Sequence, residues 1–527
     1  MDSDKEGVLK TIVKGAGIAF TGAIISKILT YLFRTTTGRL LGPEGYGNLS
    51  IGLMVFGITT TFASLGLPAG VQRFVSYYKG KKNKKKMKGS FLTALEINIP
   101  LSIAISAVLF FSSGFLANSV FSNPQVDVII KIISLGIPFN FLLVNSTSVT
   151  NAFQEMKYRV YSRNIVENLV KLIFAIVLIS MGYGIAGAAG AFVIGYAVAA
   201  FLALYYAEKV SGFLKSKIDA HKNHKEMLNF SLPLTASRLL GQVTSWTDVF
   251  MLGIFSTSLS VGLYNSALPT AAVLGVFVGS FGKIFLPVVT EQHSQNDEKG
   301  MKESYETVTK WIFSLTFPMF LLMVFFSTPG LRLLFGKEFL QDTLPVFGYA
   351  VPVAAFSLSL LAFGRLANAL VGPTGQIIKV IGKTKFTIYI SASVATSNVI
   401  FNFFLIQAYG VPGAAVATTS SLIIGALTSL ILVYKETGII PFQKSYLKIM
   451  GAALISSSAV YVSLKLIYRI IPVWTLVPGF IVFAFLYSFL LLVFRTFDNE
   501  DVMIMKTMEQ KLGLRIEWLR DIIKRFL

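Results

Sequence analysis

The chain has no cysteine and only three histidines, His221, His224 and His293, each in a polar stretch. Disulfides, thiolate metal sites and a cysteine nucleophile are excluded, and a histidine metal centre or proton relay has too few ligands. Charge is scarce as well: Asp, Glu, Lys and Arg make up 14% of the 527 residues, against roughly 25% in a soluble domain. Acidic residues are the scarcest of these, 26 against 47 basic, which gives a net charge of +21. There is no P-loop, no paired catalytic carboxylates in a recognisable soluble domain, and no metal-ligand cluster. The outer connections are too short to house a glycan polymerase or ligase centre. No catalytic residue, metal or cofactor is therefore expected.

What the chain has is hydrocarbon: 54% of its residues are hydrophobic and its mean hydropathy is +0.67. Sustained apolar runs fall near residues 11–33, 48–71, 89–111, 127–151, 164–182, 185–207, 228–255, 261–286, 309–328, 343–370, 386–408, 411–434, 447–468 and 473–494. Most are near the 20 or so residues that cross a bilayer, so fourteen spans are predicted. The first is too long for a removed signal peptide and lacks a convincing cleavage site, so it reads as a retained helix. Lys and Arg crowd the even-numbered connections, above all from Lys79 to Lys88, whereas the odd-numbered ones carry only Arg34, Arg39, Arg332, Lys337 and Arg469. The positive-inside rule then places a multi-pass protein in the cytoplasmic membrane with both termini cytoplasmic. The same bias accounts for the net charge without nucleic acid, and the lysine run reads as an anchor at the anionic leaflet surface. Beyond Arg495, Val502, Met505, Met508, Leu512, Ile516, Leu519 and Ile523 recur at helical spacing among basic residues. That pattern suits a helix lying in the cytoplasmic interface.

The stretch from Arg34 to Ser50 joins the first two spans, and its core Gly42-Pro43-Glu44-Gly45-Tyr46-Gly47 predicts a turn. It has an echo in Gly262-Leu263-Tyr264-Asn265 at the start of span eight. Likewise Gly184-Ile185-Ala186-Gly187-Ala188-Ala189 returns as Gly410-Val411-Pro412-Gly413-Ala414-Ala415, and Asn151-Ala152-Phe153 as Asn368-Ala369-Leu370. Each pair is six spans apart, an even offset that makes the repeats parallel. The expected fold is an all-α polytopic membrane protein of two pseudo-symmetric six-helix lobes plus two C-terminal helices. The predicted divisions are residues 1–227, 228–440, 441–495 and a cytoplasmic amphipathic tail, 496–527.

Two parallel lobes suggest an alternating-access transporter with its site between them near the midplane. Ionisable residues inside the spans are costly in hydrocarbon and point to that site. The basic candidates for a substrate-binding cavity are Lys27, Arg238, Arg365 and Lys171, of which Lys27 and Arg238 lie deepest. Asp248 and Glu167 are candidates for ion coupling, although Glu167 and Lys171, four apart, also suit a neutralising pair. Arg34 and Arg39, in the predicted outer hinge, are candidate exit-side contacts. A cavity lined by Lys and Arg suits an anionic substrate such as a phosphate. Gln242, Thr244, Trp246, Asn145, Ser146, Thr147 and Asn402 add surfaces suited to sugars, and serve equally as contacts between helices. The expectation is that Lys27→Ala or Arg238→Ala abolishes transport in a protein that still inserts and folds.

The run Arg39-Leu40-Leu41-Gly42-Pro43-Glu44-Gly45-Tyr46-Gly47, followed by Gln72-Arg73-Phe74-Val75 before a basic loop, resembles the start of the polysaccharide-biosynthesis (oligosaccharide) flippases. These belong to the multidrug/oligosaccharidyl-lipid/polysaccharide exporter superfamily. Further matches are Phe230-Ser231-Leu232-Pro233-Leu234, Asp248 with Met251-Leu252-Gly253, and Val261-Gly262-Leu263-Tyr264-Asn265-Ser266-Ala267. The resemblance implies a flippase carrying a lipid-linked oligosaccharide or polysaccharide repeat unit from the cytoplasmic to the outer leaflet. Its partners would be that lipid, the membrane and glycan-assembly enzymes, with the monomer as the working unit. A cation-coupled multidrug antiporter of the same superfamily would centre its cavity on carboxylates. A peptidoglycan-precursor flippase would share the anionic lipid substrate.

Overall fold

The computed structural model describes residues 2–498 apart from Phe347, together with residues 501, 502 and 521; the side chains of residues 2–16, 236–238, 240 and 243 lie outside the described set. The predicted amphipathic tail falls almost entirely outside the described residues. Helices make up nearly all of what is described, with one antiparallel hairpin, Thr343–Val346 against Tyr349–Pro352. Ten helices among the described residues are long and apolar enough to cross a membrane. Three of them, Gly17–Ala63, Met156–Ser211 and Lys385–Thr437, run to 47, 56 and 53 residues and are each two spans joined at a glycine break. Together with the helix His224–Phe255, every one of the fourteen predicted spans has its helix.

The breaks carry the repeat down to the backbone. Gly184 has φ 52° and ψ −129°, and Gly410 has φ 58° and ψ −127°. This is one conformation at the head of both copies of the Gly-Ala motif, in a region that side chains disfavour. The alanines that follow explain the close packing. Ala188, Ala189 and Ala191 are fully buried in the first copy, as are Ala414, Ala415 and Ala417 in the second. Small side chains let helix backbones approach where no hydrophobic force separates protein from lipid.

The hinge from Arg34 to Ser50 contracts to a single residue. Helix continues through Leu41, only Gly42 departs from it (φ 70°, ψ 176°), and Pro43 opens the next leg, where its missing N–H is no loss. Arg34 is thereby moved from a loop into the helix, about two turns before the break. Span ten also differs from expectation. Its helix begins at Val353: Pro345 and Pro352 disfavour a helix by removing backbone donors, and the stretch before it folds as the hairpin.

The chain forms two compact units, Met1–Asn265 and Ser266–Leu527. Within the first, the helix His224–Phe255 packs on the helices before it: Phe230 meets Phe74 at 5.7 Å, and Phe250 meets Phe121 at 6.3 Å between ring centroids. The Arg73 guanidinium sits 4.0 Å from the Phe230 ring centroid, which brings two of the family-like motifs together as packing. The linker before this helix is tied down by Glu96, which pairs with Lys222 and lies 3.3 Å from His224. Glu96 is thus an exposed anchor for the linker.

In the second unit, the buried Lys310 ammonium donates to Asp498 at 2.6 Å and Asp501 at 2.7 Å, and the Trp311 indole donates to Asp501 at 2.8 Å. This ties the start of the tail to the helix Glu298–Phe325. Removing one member of a buried ion cluster strands the others, typically at about 3 kcal/mol or more. Lys310→Met is therefore expected to lower the melting temperature of the detergent-purified protein by several degrees. Trp311→Phe, which loses one neutral donor, lowers it less.

Candidate functional site

A cavity of about 650 Å³ lies within the first unit, walled by the first, second, fourth, fifth, sixth and seventh spans. Two cations line it, Arg34 and Arg163, and no carboxylate is among its described lining residues. Asn140, Gln242 and Ser245 contribute amide and hydroxyl groups, and Phe56, Phe192, Tyr196 and Trp246 contribute aromatic faces. Such a mixture of apolar wall and a few convergent polar groups is what ligand sites look like.

Each side chain is placed by a local cause. Arg34 is available because the helix runs on to Leu41, and its guanidinium lies beside the phenol of Tyr46. Arg163 sits in a π-helical segment, Val160–Val166, a widening of the helix that shifts the residues around it and is common at functional sites. Gln242 is held by its amide, which donates to the Gly57 carbonyl at 3.2 Å. Gly57 also leaves the space that the Trp246 indole fills, since a Cβ there would stand 3.0 Å from Nε1.

Behind the wall is a buried ion pair. Lys171 Nζ lies 2.5 Å from Glu167 Oε1, with both side chains under a tenth exposed. The ammonium lies 3.8 Å from the Tyr196 ring centroid and 4.2 Å from that of Phe192. Arg163, Glu167 and Lys171, four apart in sequence, give one helix face the charges plus, minus, plus.

The predicted site residues fall in different places. Lys171 and Glu167 are brought together as that pair, at the back of the cavity wall. Lys27 is exposed on the first helix; it is seven residues before Arg34 and so shares its face about 10 Å along the axis. Arg238 lies on the helix His224–Phe255 one turn before Gln242, and its side chain is outside the described residues. Arg365 is half-buried in the second unit. Asp248 is buried and accepts a 2.5 Å hydrogen bond from the Tyr264 hydroxyl, which ties the seventh helix to the eighth. Arg39 is exposed near the hinge. Of the polar residues weighed for sugars, Gln242 and Trp246 line the cavity. Asn145 instead donates to Asn98 at 3.0 Å, which donates to the Ala63 carbonyl at 3.1 Å, a contact between helices.

Sequence reasoning missed Arg163. Its signal was the spacing of 163, 167 and 171, which extends the fifth span backwards. The hydropathy boundary at residue 164 hid it.

Comparison with known proteins agrees with the motifs in the hinge and before the basic loop. The family described as polysaccharide biosynthesis protein matches residues 12–293, and the MatE family matches residues 233–404. The chain is 22% identical over 414 residues to the probable low-salt glycan biosynthesis flippase Agl15 of Haloferax volcanii, covering 76% of this chain and 79% of that one. It is 23% identical over 443 residues to the capsular polysaccharide biosynthesis protein CapF of Staphylococcus aureus, covering 81% and 100%. Among solved structures, the lipid II flippase MurJ in an inward closed conformation matches with a TM-score of 0.69 and 18% identity, over 92% of this chain and 98% of that one. At that identity the likeness establishes the fold alone, an all-α polytopic one. The first family match spans more than half of the sequence and includes both motifs, and the chain accordingly belongs to the polysaccharide biosynthesis protein family.

Proposed function

We propose that the protein is a flippase that carries a lipid-linked oligosaccharide or polysaccharide repeat unit from the cytoplasmic to the outer leaflet by alternating access. The observation that supports this most is the cavity, which offers two guanidinium groups and no carboxylate among its described lining residues. Guanidinium groups bind phosphate oxygens through paired, charge-assisted hydrogen bonds, and a low-dielectric surrounding strengthens them. Relatives named as flippases in glycan assembly point the same way. Lys27 and Arg238 belong to the first and seventh helices, which line the cavity, and are further candidates for holding the anionic group; Lys171 is paired with Glu167 behind the wall, and Arg365 is a candidate on the second unit.

A cation-coupled drug antiporter of the same superfamily fits less well. Its carboxylates would be Glu167 and Asp248, which are held by Lys171 and by Tyr264. In this reading both termini are cytoplasmic, the monomer is the working unit and the protein sits in the cell membrane beside glycan-assembly enzymes. Reconstitution in liposomes with a labelled lipid-linked glycan, scoring label that reaches the far leaflet, tests it. Protein-dependent transfer of the glycan lipid is the expected result. Transfer of lipophilic cations without transfer of the glycan lipid would overturn it, and transfer confined to the peptidoglycan precursor would redirect it to that substrate.

A further inference from the structure

We propose that Tyr196, half-buried in the cavity wall and braced by the buried Phe56 and Phe192, is a sugar-stacking surface that selects for the sugar attached directly to the phosphate. The inference rests on the flippase reading and specifies what the same cavity recognises. Phe56 lies 5.1 Å from Phe192 and 5.3 Å from Tyr196, and Phe192 lies 4.9 Å from Tyr196, with two of these contacts edge to face. The three rings therefore brace one another as a rigid block of the cavity wall.

The block is pinned from behind. The Lys171 ammonium sits over Tyr196 and Phe192, where the negative face of each ring attracts it. Glu167 neutralises Lys171, and Gly195 makes room for the lysine stem, which a Cβ there would meet at under 3.0 Å. Burying a charge is costly, and here the carboxylate of Glu167 and the faces of two rings offset that cost. What lies beside the ammonium is Tyr196, half-buried in the cavity wall, and the buried Phe192. Lys171 and Glu167 are thus positioning residues for Tyr196 and Phe192.

The chemistry of the ligand follows from adjacency. Arg163 stands one turn from Glu167 and lines the same cavity as Tyr196 and Phe192, so the cationic and aromatic parts belong to one wall. A molecule that uses both carries an anionic group next to a ring with an apolar C–H face. A glycosyl phosphate is such a molecule, with its hydroxyls reaching Asn140, Gln242 and Ser245. A volume of about 650 Å³ suits the phosphate and the adjoining sugars, within the range of ordinary ligand pockets. A nucleotide sugar offers the same chemistry, and we assign the site to the lipid-linked form.

Binding to the full-length protein in nanodiscs tests this, read by intrinsic tryptophan fluorescence, since Trp246 lines the cavity. The probes are a short polyprenyl pyrophosphate bearing one N-acetylhexosamine, the same lipid without sugar, and a uridine diphosphate sugar. The wild type is expected to favour the sugar-bearing lipid over the bare one by roughly five- to tenfold, the scale of one aromatic stacking contact. Tyr196→Ala removes that preference and changes affinity for the bare lipid by less than about twofold, and Tyr196→Phe retains it. Glu167→Gln with Lys171→Met, which leaves neither charge stranded, also diminishes the preference alone. A preference that survives Tyr196→Ala, or equal weakening of both lipids in that variant, overturns the proposal. A nucleotide sugar that binds as tightly as the glycolipid overturns the lipid assignment. Wild-type protein that binds both lipids alike defeats only the sugar inference, whereas binding neither defeats the flippase reading with it.

Discussion

Gly47→Ala and Gly262→Ala are each expected to leave little folded protein, whereas Gly80→Ala keeps the yield and melting temperature of the parent. A methyl group at Gly47 would stand under 3.0 Å from the Ser258 carbonyl oxygen, and one at Gly262 equally close to the Pro43 carbonyl oxygen. Both obstacles are helix backbone, which cannot swing aside as a side chain can. Relief requires the two helices to part, and they are joined nearby by a chain of amides. Asn123 donates to Asn48 at 2.8 Å and to the Ser258 hydroxyl at 2.6 Å, and Asn48 donates to Gln125 at 2.8 Å. Overpacking costs about 1–3 kcal/mol where side chains can yield. Where backbone must move and part-buried amides are pulled apart, roughly 4 kcal/mol or more is expected, a large part of a marginal total. Size-exclusion profiles and thermal melts of detergent-solubilised protein measure this. A monodisperse Gly47→Ala protein with the parental melting temperature would show that the helices do not cross at these glycines. Gly80, with nothing within 4 Å of its added Cβ, controls for substitution itself.

The crossing gives the family-like hinge its physical meaning. The motif around Gly47 meets the motif around Gly262, and Arg73 of a third meets Phe230 of a fourth. Residues that carry resemblance between sequences here carry close packing, because glycine and a flat guanidinium–aromatic contact tolerate few replacements. The cavity lies one step further in, at residues that the motifs do not include.

The spans were legible because each is a run of apolar residues long enough to cross a bilayer, and the repeat was legible because glycine breaks leave a short, recurrent string. The edges of the spans were not. Residues 34–41 read as polar loop, yet Thr37 returns its hydroxyl to the Phe33 carbonyl at 2.7 Å and Thr35 to Leu32 at 3.1 Å. Hydroxyls satisfied in this way can stay in a helix, and Arg34 came with them into the cavity wall. Arg163 was lost to the same habit of ending a span where hydropathy falls. The Glu167–Lys171 pair was visible from its spacing of four. That its ammonium lies over Phe192 and Tyr196 was not, because only tertiary packing brings the fifth and sixth spans together there.

Arg34→Ala and Arg163→Ala are each expected to reduce glycolipid transfer by roughly 10- to 100-fold in protein of unchanged fold, and together to abolish it. The magnitude follows from one charge-assisted contact to phosphate, about 1.5–3 kcal/mol, at roughly 1.4 kcal/mol per tenfold. The fold should survive because neither guanidinium is fully buried; each faces a cavity of about 650 Å³, so its removal leaves no stranded partner carboxylate in that wall. Arg163→Ala carries one further effect. It takes a positive charge from one turn before Glu167 and from the cavity wall that Tyr196 shares, so its loss should exceed that of Arg34→Ala if the aromatic wall takes part in binding. Lysine at either position restores charge without the planar fork, and is expected to recover transfer in part. Initial rates in proteoliposomes, paired with thermal melts of the same preparations, separate transport from stability. Full transfer by the doubly substituted protein would show that the phosphate travels by another route, and Lys27 and Arg238 would become the next positions to replace.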